Sequence, residues 1–310
     1  MSNLMRQAFA DTMLEIGQKD NNLVVLIGDI SHFILQPFAK ECPERFYNIG
    51  ICEQTIVNMA AGLSKTGFYP VVHTISPFII ERAFEQIKVD FGYQKLGVNL
   101  VTVGSAFDYS TLGCTHHCYD DFALLKNIQG IEIIYPGSPI EFNLLFKQRY
   151  NNGLPTYFRL PAITHDVIFK KEQIKFGKGI TVKVGKNLTI IALGSQLKTA
   201  MLSVAPLKDI GIDAEIIYLP TIKPLDEKLI LKSLAKTKKC LVIEEHGKYG
   251  GVYDDVLRLI ADTPGMSVKC SSINIGDKFI HEYGSYEDHC NRLGLTPENI
   301  VKKVKSNLLS

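Results

Sequence analysis

The sequence predicts two doubly wound α/β domains in series, each a largely parallel sheet with helices on both faces. Three observations carry this. Short unbroken apolar runs, such as Leu23–Ile27 (LVVLI) and residues 188–193 (LTIIAL), alternate with segments of helical period. Parallel strands covered on both faces read as continuous apolar runs, and every crossover between them needs a helix. The chain has 310 residues. At roughly 150 residues per domain, such a length holds two cores.

The elements follow in order. Met5, Phe9, Met13 and Ile16 recur at helical spacing and predict an amphipathic opening helix. Leu23–Ile27 is a buried strand ending in Gly28-Asp29, which delivers an acid at its carboxyl end. Gly50-Ile51-Cys52-Glu53-Gln54 opens a helix whose inner face would carry Ile56, Met59 and Leu63. Residues 69–74 form a strand, 81–89 a helix, and Val98–Val103 the next strand. Residues 104–119 have no regular period, and a loop of that length in a compact domain is usually functional. A helix at 121–128 and a strand at 131–135 come next. Ser138-Pro139-Ile140-Glu141 then starts a helix, with Ser as cap, Pro in the first turn and Glu completing a capping box. Residues 156–160 are the last strand of this half.

From residue 161 to 186 the period is lost and Gly177, Gly179 and Gly185 appear. The predicted domains therefore span 1–170 and 187–310, with a linker at 171–186. The second half repeats the alternation: strand 188–193, helix 197–209, strand 214–219, helix 227–235, strand 240–244 and helix Val252–Ala261. Thr296-Pro297-Glu298 starts a final helix.

Composition excludes several classes. The 34 Lys+Arg balance 32 Asp+Glu to a net charge of +2, which leaves no basic field for nucleic acid. No apolar run approaches the roughly 20 residues that span a bilayer. The opening MSNLMRQAFADTMLEIG lacks the charged-then-apolar pattern of a secretory signal. Seven cysteines at scattered spacing read as reduced thiols. The expectation is a cytoplasmic protein with neither a nucleic-acid nor a membrane partner.

In open α/β sheets, ligands bind beyond the carboxyl ends of the strands. That rule selects Asp29, His73-Thr74, the 50–53 turn and the 104–119 loop. No GxxxxGK[ST] or GxGxxG follows a strand, so the chain shows no nucleotide fingerprint of its own. Glu53 begins an otherwise apolar helix. Burial raises a carboxyl pKa and a helix N-terminus lowers it, so this acid is either poised between protonation states or an ordinary first-turn glutamate. Cys114-Thr115-His116-His117-Cys118 gathers two thiols and two imidazoles, yet its spacing matches no common zinc pattern and no metal ligand is assigned. Its histidines suit hydrogen bonding or proton exchange with a small molecule; the plain alternative is a solvent-facing loop histidine. Phe78, Phe84 and Glu81-Arg82 lie at a strand-to-helix corner, where an aromatic is either a ligand platform or core. Arg159, inside a strand, must meet an internal acid or reach an anionic ligand.

Taken in succession, these segments resemble the transketolase family. Gly50-Ile-Cys-Glu53-Gln54, Ala60-Ala-Gly-Leu63 and Gly67-Phe-Tyr-Pro70 resemble its pyrimidine-binding domain. Arg82-Ala-Phe-Glu-Gln-Ile87 is similar to the RAxEQIR helix of its two-subunit members. Gly113-x-Thr115-His116-His117, Asp120-Asp121 and Pro136-Gly-Ser-Pro-Ile-Glu141 resemble its GxTH(Q/H)xxED…P(A/G)DPxE run. Ile222-Lys-Pro-Leu-Asp226, Glu244-Glu-His246 and Gly250-Gly251 resemble its C-terminal domain.

The resemblance implies a transketolase pyrimidine-binding-like domain followed by a transketolase C-terminal-like one. The family's diphosphate-binding domain, with a GDG…N segment for Mg²⁺, has no counterpart in this sequence. The chain thus resembles the C-terminal subunit of a split transketolase, and is similar also to deoxyxylulose-phosphate synthase and to 2-oxo acid dehydrogenase beta subunits. By that resemblance a separate diphosphate-binding subunit holds Mg²⁺ and the phosphates of thiamine diphosphate, in a homodimer or heterotetramer. The implied reaction moves a two-carbon ketol unit from a ketose or ketose phosphate to an aldehyde. The alternatives are a specialised synthase, a 2-oxo acid decarboxylating subunit, or a non-catalytic partner.

The resemblance makes Glu53 the catalytic carboxyl facing the aminopyrimidine, with Asp29, Phe78 and Arg82 also on the cofactor. It makes His116 catalytic, and assigns His73, His116, His117 and Arg159 to the substrate. Leu112 stands where the family places an aspartate that meets a substrate hydroxyl, Ile75 where an aromatic is usual, and Ala162 where the synthase branch has an arginine. These departures imply a donor different from the usual pentose phosphates.

Overall fold

The computed structural model describes residues 4–309. The first half runs α1 (Leu4–Gly17), β1 (Leu23–Ile27), α2 (Gln36–Glu41), β2 (Phe46–Asn48), α3 (Glu53–Lys65), β3 (Tyr69–Ile75), α4 (Ser76–Ile80) and α5 (Phe84–Gln86). It continues through β4 (Val98–Val103), α6 (Asp121–Lys126), β5 (Glu132–Ile134), α7 (Pro139–Arg149) and β6 (Pro155–Leu160). The second half holds β7 (Ile180–Lys183), β8 (Leu188–Ala192), α8 (Gln196–Leu202), α9 (Val204–Asp209), β9 (Ala214–Tyr218), β10 (Thr221–Lys223) and α10 (Glu227–Thr237). It ends with β11 (Lys239–Ile243), α11 (Val252–Ala261), β12 (Lys269–Ile273), α12 (Tyr286–Leu293) and α13 (Pro297–Lys303).

These strands make a seven-stranded sheet, ordered β10-β5-β6-β4-β3-β1-β2, and a five-stranded sheet, ordered β12-β11-β8-β9-β7. Pairing is parallel except where β10 meets β5 and β7 meets β9. Because successive strand residues face opposite sides, Val25, Val71, Val101 and Phe158 pack toward α1 and α7. Val24, Leu26, Val72 and Leu100 pack toward α3 and α6 on the other side. Every residue of β1, β4, β6, β8 and β9 is buried, which is why β1 and β8 read as near-continuous apolar runs, whereas β4, β6 and β9 also bury Asn99, Arg159 and Glu215.

Several expectations are corrected. Helix α3 buries Ile56, Val57, Ala60 and Ala61, whereas Met59 is exposed. The small residues face inward because the helix lies close on the sheet. The single helix expected at 81–89 is broken: α4 stops at Ile80, α5 begins at Phe84, and Ile87–Tyr93 is wound in wider i→i+5 turns. The helix expected at 197–209 divides at Ser203, since Pro206 has no N–H to continue the ladder. The expected 171–186 linker contains β7, whose Ile180 is opposite Tyr218 in the second sheet. Strands β10 and β12 and helix α12 were not expected, and α12 buries only His289 among its described residues. Its stripe is short and only half-buried, Tyr286, Cys290 and Leu293 packing against the second domain's core beside His289.

Two features bind the halves together. After β9 the chain returns to add β10 to the first sheet. Ala106 and Phe107, from the irregular 104–119 segment, lie in the core of the second domain with Leu188, Ile190 and Leu197. No helix among the described residues is long and apolar enough to cross a membrane.

Candidate active site

The carboxyl ends of β1 and β3 converge on one rim with the N-terminus of α3. Gly28 packs so closely there that an added Cβ would lie 3.1 Å from Thr74 Oγ1. Asp29 follows in the left-handed region at φ 64°, a conformation that a short polar side chain tolerates. Asn48, at the end of β2, holds the rim: its Oδ1 accepts from the amides of Asp29 and Gly50, each at 3.1 Å, and its Nδ2 donates to Asp29 Oδ1. Asp29 is exposed on this rim.

Glu53 is the first residue of α3 and is 1% exposed. Its Oε2 accepts from Arg82 Nη1 at 2.6 Å, while its Oε1 is buried without a hydrogen-bond partner. The break after α4 places Arg82 there, and Gln54 Nε2 donates to the Arg82 carbonyl at 3.3 Å. The Arg82 guanidinium lies 4.6 Å from the centre of the Phe78 ring, and Phe78 meets the His116 ring edge-on at 5.2 Å. His116 Nδ1 is bonded to Thr115 Oγ1 at 2.9 Å, and the ring packs on Tyr109 at 6.0 Å. Glu53, Arg82, Phe78 and His116 therefore form one contiguous row. Such an array can hold a flat heterocycle against Phe78 and share a proton with it at Glu53.

Other expected site residues lie elsewhere. His73 is wholly buried: Nδ1 bonds Val101 O, Nε2 bonds Ser31 Oγ, each at 2.8 Å, and the ring stacks on Phe9. Arg159 is also wholly buried, bonded to the Glu245 carbonyl at 2.8 Å and paired with Asp121 at 3.4 Å. Neither presents a group to a substrate, because tertiary partners consume both. His117 is turned inward against His289 of α12, at 5.9 Å. His289 Nε2 bonds the Ser110 carbonyl and Gly247 N donates to the Tyr119 carbonyl, so the second domain clamps the loop that carries His116. His246 is at the contact between the two domains, stacked on Phe122 at 5.3 Å.

The thiols and imidazoles of the 114–118 segment do not converge. Among the described residues, Glu81, Cys118 and Asp120 instead bring ligand atoms within 4.8 Å of one another. Sequence reasoning also missed what Glu141 does beyond the helix start, where its Oε1 accepts from Ser138 Oγ at 2.8 Å. It is buried, accepts from Gly137 N at 3.0 Å and from Tyr218 Oη, and pairs with His165. These partners are far apart in sequence, so no local pattern marks them.

Burial sets the protonation of this interior. Desolvation drives His73 and His246 down to about 3 and His117 to about 4. It drives Glu81, Asp108 and Glu244 up to about 7. Each histidine stabilises the fold above 6.5, its unfolded value, and that contribution is lost as pH falls through 3–4. Each acid contributes below its unfolded value, and that contribution is lost as pH rises through about 7. The two sets oppose one another between about 4.5 and 6.5, and below 4.5 Asp108 alone of these acids still changes, down to its unfolded 3.8, against all three histidines. Melting temperature is expected to stay nearly level from pH 6.5 to 5 and to fall below about 4.5. A melting temperature still rising at pH 3.5 would contradict these protonation states.

Comparison with known proteins gives the family and the fold. Residues 2–164 match the transketolase pyrimidine binding domain and residues 177–300 the transketolase C-terminal domain. A protein of Methanocaldococcus jannaschii named as a transketolase C-terminal section is 33% identical over 98% of this chain and 96% of its own. A subunit of the apulose-4-phosphate transketolase of Phocaeicola vulgatus is 31% identical over 96% of this chain and 95% of its own. Among solved structures, a split-gene transketolase described as an inactive beta4 tetramer superposes with a TM-score of 0.88 at 28% identity, covering 99% of both chains. Two family domains in the order found here, on a rim where a buried glutamate meets an arginine and an aromatic, show that the chain belongs to the transketolase family and carries its pyrimidine-binding and C-terminal domains.

Proposed function

We propose that this chain supplies the pyrimidine-facing half of a thiamine-diphosphate-dependent ketol transferase, completed by a separate subunit that binds the diphosphate and its Mg²⁺. One observation carries the reading: Glu53 is buried with Oε2 held by Arg82 and Oε1 lacking a donor. A buried acceptor left unmatched is costly, and the ring N–H that a bound aminopyrimidine carries in its protonated or imino form would satisfy it. Thiamine diphosphate bound there supplies the nucleophilic carbon and electron sink for cleaving a ketose carbonyl compound.

The chain's own residues do the rest. Glu53 holds the shared proton, and Arg82 fixes its carboxylate in one orientation through a charge-assisted bond. Phe78 gives the flat wall and keeps water from the carboxyl. Asp29 stands on the same rim as an exposed acid, and His116 offers a ring nitrogen to a donor hydroxyl. The name of the archaeal relative and the inactive state of the split-gene tetramer both support a chain that works with a partner.

The isolated chain is expected to show no ketol transfer with thiamine diphosphate and Mg²⁺. Adding a diphosphate-binding subunit should restore cofactor-dependent turnover, followed by coupled assay of the released aldehyde. Full turnover by the chain alone would refute the divided site.

A further inference from the structure

All seven cysteines are free thiols, and two of them stand opposite one another in the second sheet. Strand β12 is an edge of that sheet and pairs only with β11. The register of this parallel pair sets Cys240 against Cys270, so both side chains leave the same face. Neighbouring strands lie about 4.8 Å apart, which puts two in-register Cα atoms within the roughly 4.4–6.8 Å that a disulfide spans. Among the described residues, no other two cysteines stand in register in either sheet.

The two sulfurs differ in their surroundings. Cys240 is wholly buried in the core that β11 shares with Val252 and Val256 of α11, whereas Cys270 is half-buried against it. The thiols are hydrogen-bonded to one another, and Cys270 Sγ also reaches the Val268 carbonyl at 3.7 Å. The bond donated by Cys240 holds the Cys270 thiol below its ordinary value, while that bond and burial lift Cys240. Cys270 is thus the sulfur an oxidant meets first, being both the more accessible and the more readily ionised. Cys240 lies behind it, within reach of whatever forms on Cys270.

We propose that Cys240 and Cys270 form a reversible disulfide, made by exchange with a small-molecule disulfide of the glutathione class. The Cys270 thiolate attacks one sulfur of that oxidant, forming a mixed disulfide and expelling one thiolate. Cys240 gives its proton to that thiolate and attacks the Cys270 sulfur, which closes the internal bond and expels the second thiolate. The second thiolate regains from water the proton that Cys270 released. Two protein thiols are oxidised, and one small disulfide is reduced to two thiols. The product closes the crossover through α11 and fastens the edge strand that leads to α12, whose His289 holds the loop bearing His116. The pair stands at the amino ends of β11 and β12, away from the domain contact at Glu245 and His246. It forms whether or not the chain takes part in ketol transfer.

In the test, the folded chain is reduced, freed of reductant and incubated with glutathione disulfide. It is then quenched by alkylation, and its peptides are mapped by mass spectrometry. One internal bond joining Cys240 to Cys270 is expected, reversed by dithiothreitol. The melting temperature should rise by about 5 °C, because the bond closes a loop in the unfolded chain. Cys240→Ser should halt the exchange halfway, leaving glutathione on Cys270, and Cys270→Ser should leave Cys240 unmodified. Should either variant fail to fold, the wild-type peptide map decides alone. Wild-type chain that keeps glutathione on Cys270 without closing the bond would overturn the inference. So would two free thiols here while the exposed Cys52 or Cys114 reacts, or a joined pair that forms only after unfolding in urea.

Discussion

Glu53→Gln is expected to reduce turnover of the assembled enzyme by at least about a hundredfold while leaving the fold intact. Glutamine has the same shape, so α3 and the packing of Ile56, Val57 and Ala60 beneath it are untouched. What it lacks is a carboxyl proton to share. The neighbouring Arg82 loses a charged partner but is 40% exposed, so water can take over its solvation. Circular dichroism melts should therefore shift by only a few degrees. Glu53→Asp keeps the acid one methylene farther back and should recover part of the activity. Turnover of the glutamine variant within about threefold of wild type would show that Glu53 handles no proton.

Arg159→Met should cost the largest stability of any single change considered, about 3–5 kcal/mol. The guanidinium has no exposure and lies between the rings of Phe122 and Tyr135, each centred 4.7 Å away. Its partners are Asp121 on α6 and the Glu245 carbonyl of the second domain. Methionine fills much of the volume, yet it leaves the buried Asp121 carboxylate without its counter-charge, held only by Tyr157 Oη and the Phe122 amide. Removing that acid too, in Arg159→Met with Asp121→Leu, should restore part of the loss, because the stranded charge and not the missing contact dominates the penalty. Thermal or urea unfolding measures both. A stable single variant with a raised KM would instead return Arg159 to the substrate.

Much of the scaffold was legible because its signals are local. Leu23–Ile27 and Val98–Val103 match their apolar runs, and α1 buries the four residues its spacing marks. Val252–Ala261 also begins and ends where its pattern does. Ser138 and Thr296 cap their helices by accepting from Glu141 N and Asn299 N. The misses share a cause. Strand β12 buries alternate residues and carries Lys269 and Ser272 at the sheet edge, so no apolar run announces it. The break between α4 and α5, which places Arg82 against Glu53, carries no local signal, because that contact joins residues 29 apart in sequence.

By itself, then, the order of residues determined the alternation of strands and helices, the two-domain plan and the placing of Glu53, Asp29 and the 104–119 loop at strand ends. Periodicity reveals which face of an element is apolar, since burial of that face drives its formation. Only the tertiary structure decided which polar groups remain available. His73 and Arg159 are spent on internal partners, Phe78 and Arg82 are gathered at Glu53, and the loop bearing His116 is fastened by α12. A polar side chain's role depends on what distant segment satisfies it, and that partner is set by packing, on which the local pattern is silent.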